Sequence, residues 1–101
     1  MYLVQILLPR ADNDGKAFPG EMFDQIKKDL TAAHGGVTAY LRSPAEGLWT
    51  EQGTAAADDV ILFEVMAETL DQVEWRSRRS SLERLFRQER IVIRHMLIGL
   101  I

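Results

Sequence analysis

The chain has 101 residues, of which 47% are hydrophobic, and its formal net charge is −3. This length suits one domain with a thin core, so we expect a single domain over residues 1–101. The mild acidic charge argues against electrostatic binding to nucleic acid or to an anionic membrane. Because the chain has no cysteine, disulfide bonds, thiolate metal sites and cysteine nucleophiles are excluded.

The opening MYLVQILLPR is apolar, but it lacks the basic segment and small-residue cleavage site of a signal peptide. It is also too short to span a membrane, so we expect a soluble, cytoplasmic protein with no membrane partner. Its β-forming residues predict a strand from Tyr2 to Leu8, which Pro9 ends because it lacks a backbone N–H. The sequence DNDG at 12–15 is predicted to be a turn rather than part of a calcium loop.

A helix is predicted next, introduced by Phe18 and Pro19, with the proline at its first position. The glycine pair 35–36 should end it. Apolar residues recur along it at spacings of three and four, which places one stripe against the core. The stripe consists of Phe23, Ile26, Leu30 and Ala33.

The rest of the chain predicts three further strands and a second helix. The strands are Val37–Arg42, interrupted at SPAEG and resumed at LWTEQ, then Val60–Ala67 after the connection TAAADD, and finally Arg90–Ile101. The helix is expected to start at Thr69, with Gln72 completing a capping box. The order β-α-β-β-α-β predicts an α+β ferredoxin-like sandwich, with a four-stranded antiparallel sheet and two helices on one face.

Residue alternation assigns each strand residue to one face of this sheet. Ile61, Phe63, Val65 and Ala67 are uniformly apolar and should contact the helices. The opposite face remains too apolar for water, and the chain offers no third layer to cover it. Its apolar members are Leu3, Leu7, Val60, Leu62, Met66, Val92, Met96, Ile98 and Leu100. A second copy of the same sheet is the simplest cover.

This β-α-β-β-α-β order, the bare apolar face and the long bent second strand resemble the dimeric α+β barrel superfamily. The segment GGVTAYLRSPAEGLW is also similar to small uncharacterised bacterial proteins of that class. The resemblance implies that two sheets pack face to face as a homodimer or higher oligomer and enclose a pocket. It carries no assigned reaction, so no catalytic residue is transferred.

Three polar residues fall on the otherwise apolar face. With a sheet order of 4-1-3-2, Gln5 would lie between Arg94 and Glu64. Such a group either binds a polar part of a ligand or forms an ion pair that fixes the register of a dimer.

Four other positions are weighed as binding or metal-site residues. Tyr40 lies on the open face, and Trp49 either closes an interface or walls a pocket. His95 is weighed as a pocket residue and as a hydrogen-bonded core histidine. His34 should lie at a helix end, and the two histidines make no metal set, so we expect no metal and no cofactor.

The second helix is rich in arginine, but its excess over acidic residues is small, so a solvated face is favoured over a nucleic-acid site. The apolar residues of this helix do not all lie on one side, because the apolar stripe shifts along its length. Either a kink near 77–81 or a second contact made by Trp75 would explain the shift. The leading hypothesis is a homodimeric module whose inter-sheet pocket binds a small, partly apolar molecule. The alternatives are a small cofactor-free enzyme, similar to a monooxygenase or an isomerase, and a purely structural interaction domain.

Overall fold

The computed structural model describes residues 1–42, 50–51, 54–55 and 60–101, and within 40–42, 50–51 and 54–55 it describes the backbone. The elements are β1 (Tyr2–Pro9), α1 (Gly20–His34), β2 (Thr38–Arg42), β3 (Thr50–Glu51), β4 (Thr54–Ala55), β5 (Val60–Ala67), α2 (Gln72–Leu85) and β6 (Val92–Leu97).

Four strands form one antiparallel sheet in the order β2-β5-β1-β6, and β3 pairs with β4 in a separate two-stranded sheet. The four strands of this sheet and the two helices follow one another along the chain in the order β-α-β-β-α-β. In the sheet, β1 and β5 are the central strands. The predicted ferredoxin-like α+β fold and its 4-1-3-2 strand order are therefore confirmed.

The core lies between the sheet and the two helices. Val4 and Ile6 of β1 are buried against the helices, as are Phe63 and Val65 of β5. From α1 the buried members are Phe23, Ile26 and Leu30, whereas Ala33 of the predicted stripe is exposed. The strand alternation thus predicted the inner face correctly, because every second residue of a pleated strand points to the same side.

The ends of α1 follow from a proline and a glycine. We expected Pro19 at the first helical position. It lies one residue earlier, as the N-cap, and its ψ of 141° is non-helical. Gly35 has a φ of +83°, and its N–H donates to the carbonyl of Thr31. A residue with a side chain is strained in that left-handed conformation, so glycine ends the helix at low cost.

The start of α2 was predicted wrongly. Thr69 does not cap the helix; Asp71 does, and its Oδ1 accepts hydrogen bonds from the N–H groups of Val73 and Glu74. The sequence matched a capping box, but an aspartate two residues later is at least as good an N-cap as threonine. Its carboxylate also interacts favourably with the positive end of the helix dipole.

Two strand predictions also need correction. The last strand is Val92–Leu97, shorter than expected, because its partner β1 pairs with it from Leu7 back to Tyr2. The TAAADD segment is not wholly a connection, since its first two residues form β4 and pair with β3. The turn at 12–15 is confirmed, with the Asp12 carboxylate accepting two backbone N–H groups.

No helix in the described part of the chain is long and apolar enough to cross a membrane.

Candidate functional site

Gln5, Glu64 and Arg94 form one hydrogen-bonded row across three strands. In the register of the sheet Gln5 lies opposite Glu64 on one side and opposite Arg94 on the other. The Nε2 group of Gln5 donates to Oε2 of Glu64 at 2.6 Å, and its Oε1 accepts from Nε of Arg94 at 2.7 Å. The predicted placement of the three residues is therefore correct, with the amide linking the carboxylate to the guanidinium.

Burial differs along this row. The Gln5 side chain is 8% exposed, Glu64 is half-buried and Arg94 is exposed. Neutral Gln5 lies where a charge would be hardest to accommodate, while both charged residues keep contact with water. The row consequently offers a ligand or a partner one carboxylate and one guanidinium, held about two strand spacings apart.

Apolar side chains surround the row on the open face of the sheet. Met66, Val92 and Met96 are between 44% and 53% exposed, whereas Leu3 and Leu7 are half-buried. Large apolar side chains grouped in this way on a sheet face are typical of a surface that another molecule covers.

A groove of about 560 Å³ opens on this face where α1 leads into β2. Its apolar lining comes from Leu3, Val37 and Met66, and its polar lining from His34, Thr38 and Glu64. Glu64 thus belongs to both the row and the groove. Mostly apolar walls with a few placed polar groups are the usual composition of small-molecule sites.

His34 is held in position by α2. Its Nε2 lies 2.8 Å from Oε2 of Glu74, and its ring stacks on Trp75 with centroids 5.0 Å apart and an interplanar angle of 15°. Arg78 donates from Nε to the same carboxylate oxygen at 2.7 Å and lies 5.7 Å from the centre of the Trp75 ring. These contacts fix the orientation of a histidine that also lines the groove.

The Glu74 carboxyl titrates below its ordinary pKa of 4.5. Burial raises its pKa, but the hydrogen bonds from Arg78 and His34 and their positive charge outweigh burial and lower the pKa overall. Glu74 therefore stays ionised at neutral pH and holds His34 through a hydrogen bond or, when His34 is protonated, through an ion pair.

The remaining predicted site residues do not join the row. His95 lies on the helix-facing side, where it is exposed and makes an edge contact with Tyr2 at 6.1 Å between ring centroids. Its interpretation as a buried core histidine was wrong, because it lies towards the end of an edge strand. The side chain of Tyr40 and the whole of Trp49 lie outside the described residues.

The cluster around His34 was not predicted. One usable signal was the i,i+4 spacing of Glu74 and Arg78 on a helix, because such a pair typically forms an ion pair. The contact to His34 spans two helices and depends on their packing. No group of three or more potential metal ligands occurs among the described residues.

No family model matches the chain, and no curated protein matches it either. A solved structure with a similar fold is a phage SAM lyase in complex with S-methyl-5'-thioadenosine. Its TM-score is 0.56 at 12% sequence identity, and the match covers 94% of this chain and 79% of the phage protein. The likeness establishes a shared α+β fold.

Proposed function

We propose that this protein is a homodimeric module, of one domain over residues 1–101, that binds a small, partly apolar molecule against the open face of its sheet. The observation that carries the proposal is the composition of that face. Exposed Met66, Val92 and Met96 surround a buried amide that is linked to a carboxylate and a guanidinium. Two such sheets packed face to face remove the apolar groups from water and enclose the polar row.

The groove beside Glu64 supports the ligand part of the proposal. Its volume of about 560 Å³ lies within the range of small-molecule sites. Leu3, Val37 and Met66 offer apolar contact, while Glu64 can accept a hydrogen bond from a ligand. The phage protein of similar fold was solved with a small molecule of this mixed character, a thioether attached to a nucleoside.

Assembly is tested by light scattering at micromolar concentration, where we expect twice the chain mass of 11.5 kDa. Met96→Glu places a charge in the proposed interface and should yield the monomer. Val73→Glu is the matched control, because Val73 is an apolar residue on α2, outside the sheet, with 75% of its surface exposed. A monomeric wild-type protein would contradict the dimer.

Ligand binding is tested by thermal unfolding with S-methyl-5'-thioadenosine as the probe. A ligand that binds the folded state raises the melting temperature in a saturable manner. Glu64→Gln should weaken this effect, whereas Glu68→Gln, at an exposed position just beyond β5, should leave it intact. A dimer that shows no saturable stabilisation would instead favour the purely structural interaction domain.

A cofactor-free enzyme is a second candidate because His34 lines the same groove as Glu64. A histidine fixed by a carboxylate is a common proton-transfer group. In this variant of the proposal a proton passes between the groove ligand and the side chains of His34 and Glu64, which both line the groove. Turnover of a groove ligand that His34→Gln abolishes, without loss of binding, would distinguish the enzyme from the binding module.

A further inference from the structure

A small cavity lies on the other side of the sheet, between α2 and the strands β1 and β6. Its volume is about 170 Å³, enough for a few heavy atoms. Val4, Leu70 and Ile93 supply its apolar lining, and the polar lining is rich in hydrogen-bond donors. These polar members are Gln72, Trp75, Arg76, Arg79 and His95.

Among the described residues, the arginines of this cavity have no acidic partner. Arg76 donates from Nη2 to the neutral side chain of Gln72 at 3.0 Å, and Arg79 forms no salt bridge within the described part of the chain. Arg78, on the same helix, is in contrast neutralised by Glu74. The cavity is thus bordered by two guanidinium groups that no carboxylate of the described residues neutralises.

Trp75 adds a hydrogen-bond donor that lacks an acceptor. The residue is 6% exposed, and its Nε1 is buried without a partner among the described residues. A buried N–H group without an acceptor destabilises the fold, so such groups are rare unless a ligand or water satisfies them. The same ring lines the cavity that the arginines border.

We propose that this cavity binds an oxyanion, namely the carboxylate or phosphate group of a small molecule. Arg76 and Arg79 provide the charge, and the indole N–H of Trp75 provides a neutral donor. Two carboxylates in the first turn of α2 do not compete, because Asp71 is bound to the backbone there and Glu74 to His34 and Arg78. An anion of this kind accepts bidentate hydrogen bonds from guanidinium groups.

The test follows the indole N–H signal of Trp75 by nuclear magnetic resonance, assigned by its absence in Trp75→Phe. Inorganic phosphate and acetate are titrated separately, and each replaces chloride salt so that the ionic strength stays constant. We expect a saturable shift of the Trp75 signal with at least one of them. The anion with the lower dissociation constant identifies the preferred group.

Arg76→Gln and Arg79→Gln should each raise the dissociation constant by about tenfold or more, which is typical for loss of a charged hydrogen bond. Both arginines are exposed, so these variants should fold normally. Arg84→Gln, further along α2, is the matched control and should bind like wild type. A shift that does not saturate with either anion, or one that all three variants retain equally, would overturn the proposal.

Discussion

The amide of Gln5 is the residue on which the open face depends most. It is neutral, and it satisfies one hydrogen bond of Glu64 and one of Arg94 at the same time. These two charged residues lie on strands that are separated by β1, so they contact Gln5 rather than each other. Hydrogen bonds to charged groups contribute about 1.5–3 kcal/mol each, roughly twice the value for neutral pairs.

Gln5→Met should lower the free energy of unfolding by about 1–3 kcal/mol. The substitution keeps the length of the side chain but removes both charge-assisted hydrogen bonds from a buried position. Chemical denaturation provides the measurement. Gln25→Met is the matched control, because Gln25 is exposed on α1 and bonds to Asp29 there, so we expect a change within about 0.5 kcal/mol. Equal effects of the two substitutions would refute the bridging role.

Glu74 makes the stability depend on pH in a defined direction. Burial raises its pKa, yet the contacts with Arg78 and His34 lower it below 4.5 overall. A carboxyl whose pKa is lower in the folded state stabilises the fold above its unfolded pKa, and this contribution is lost as the pH falls through the folded value. Its ionised form therefore supports the contact between the two helices at neutral pH.

Glu74→Gln should destabilise the protein at neutral pH, and its difference from wild type should shrink as the pH falls below 4.5. Unfolding midpoints measured across this acidic range provide the test. Glu68→Gln serves as the comparison, because Glu68 is exposed. A difference for Glu74→Gln that is constant with pH would show that its ionisation does not stabilise the fold.

At the scale of elements, the first turn of α2 depends on Asp71. Asp71→Ala should cost about 1 kcal/mol, because two backbone N–H groups lose their acceptor and the helix dipole loses a favourable charge. Thr69→Ala, the position expected from the capping-box pattern, should change the stability by less than about 0.5 kcal/mol. Thermal or chemical unfolding of both variants decides between them, and a larger loss for Thr69→Ala would contradict the observed cap.

The limits of sequence-based prediction differ between elements for physical reasons. The inner faces of β1 and β5 could be predicted because alternation in a strand is strict. The row of Gln5, Glu64 and Arg94 followed from the same alternation together with one assumption about strand order. The start of α2 could not be chosen from the sequence, since Thr69 and Asp71 are both good N-caps and tertiary packing selects between them.

At the scale of the whole molecule, contacts between helices escaped prediction. Trp75 and His34 belong to different helices, and no periodicity connects them, so their stacking becomes apparent only in three dimensions. This contact also explains the shifted apolar stripe of α2. Of the two explanations considered, a kink and a second contact made by Trp75, it supports the contact, since Trp75 is buried and stacks on His34 of α1. The donor-rich cavity beside β6 was likewise interpreted from the sequence as a solvated arginine face.

The central position of β1 has a consequence for how the chain folds. Tyr2 pairs with Ala67 on one side and with Leu97 on the other, so both neighbours of β1 are distant in sequence. Closing such long loops costs conformational entropy before any hydrogen bond between the strands compensates for it. This cost slows the search for the native topology. The two helices can form locally in far less time. We therefore expect the sheet to be assembled last, around a first strand that stays unpaired until most of the chain is available.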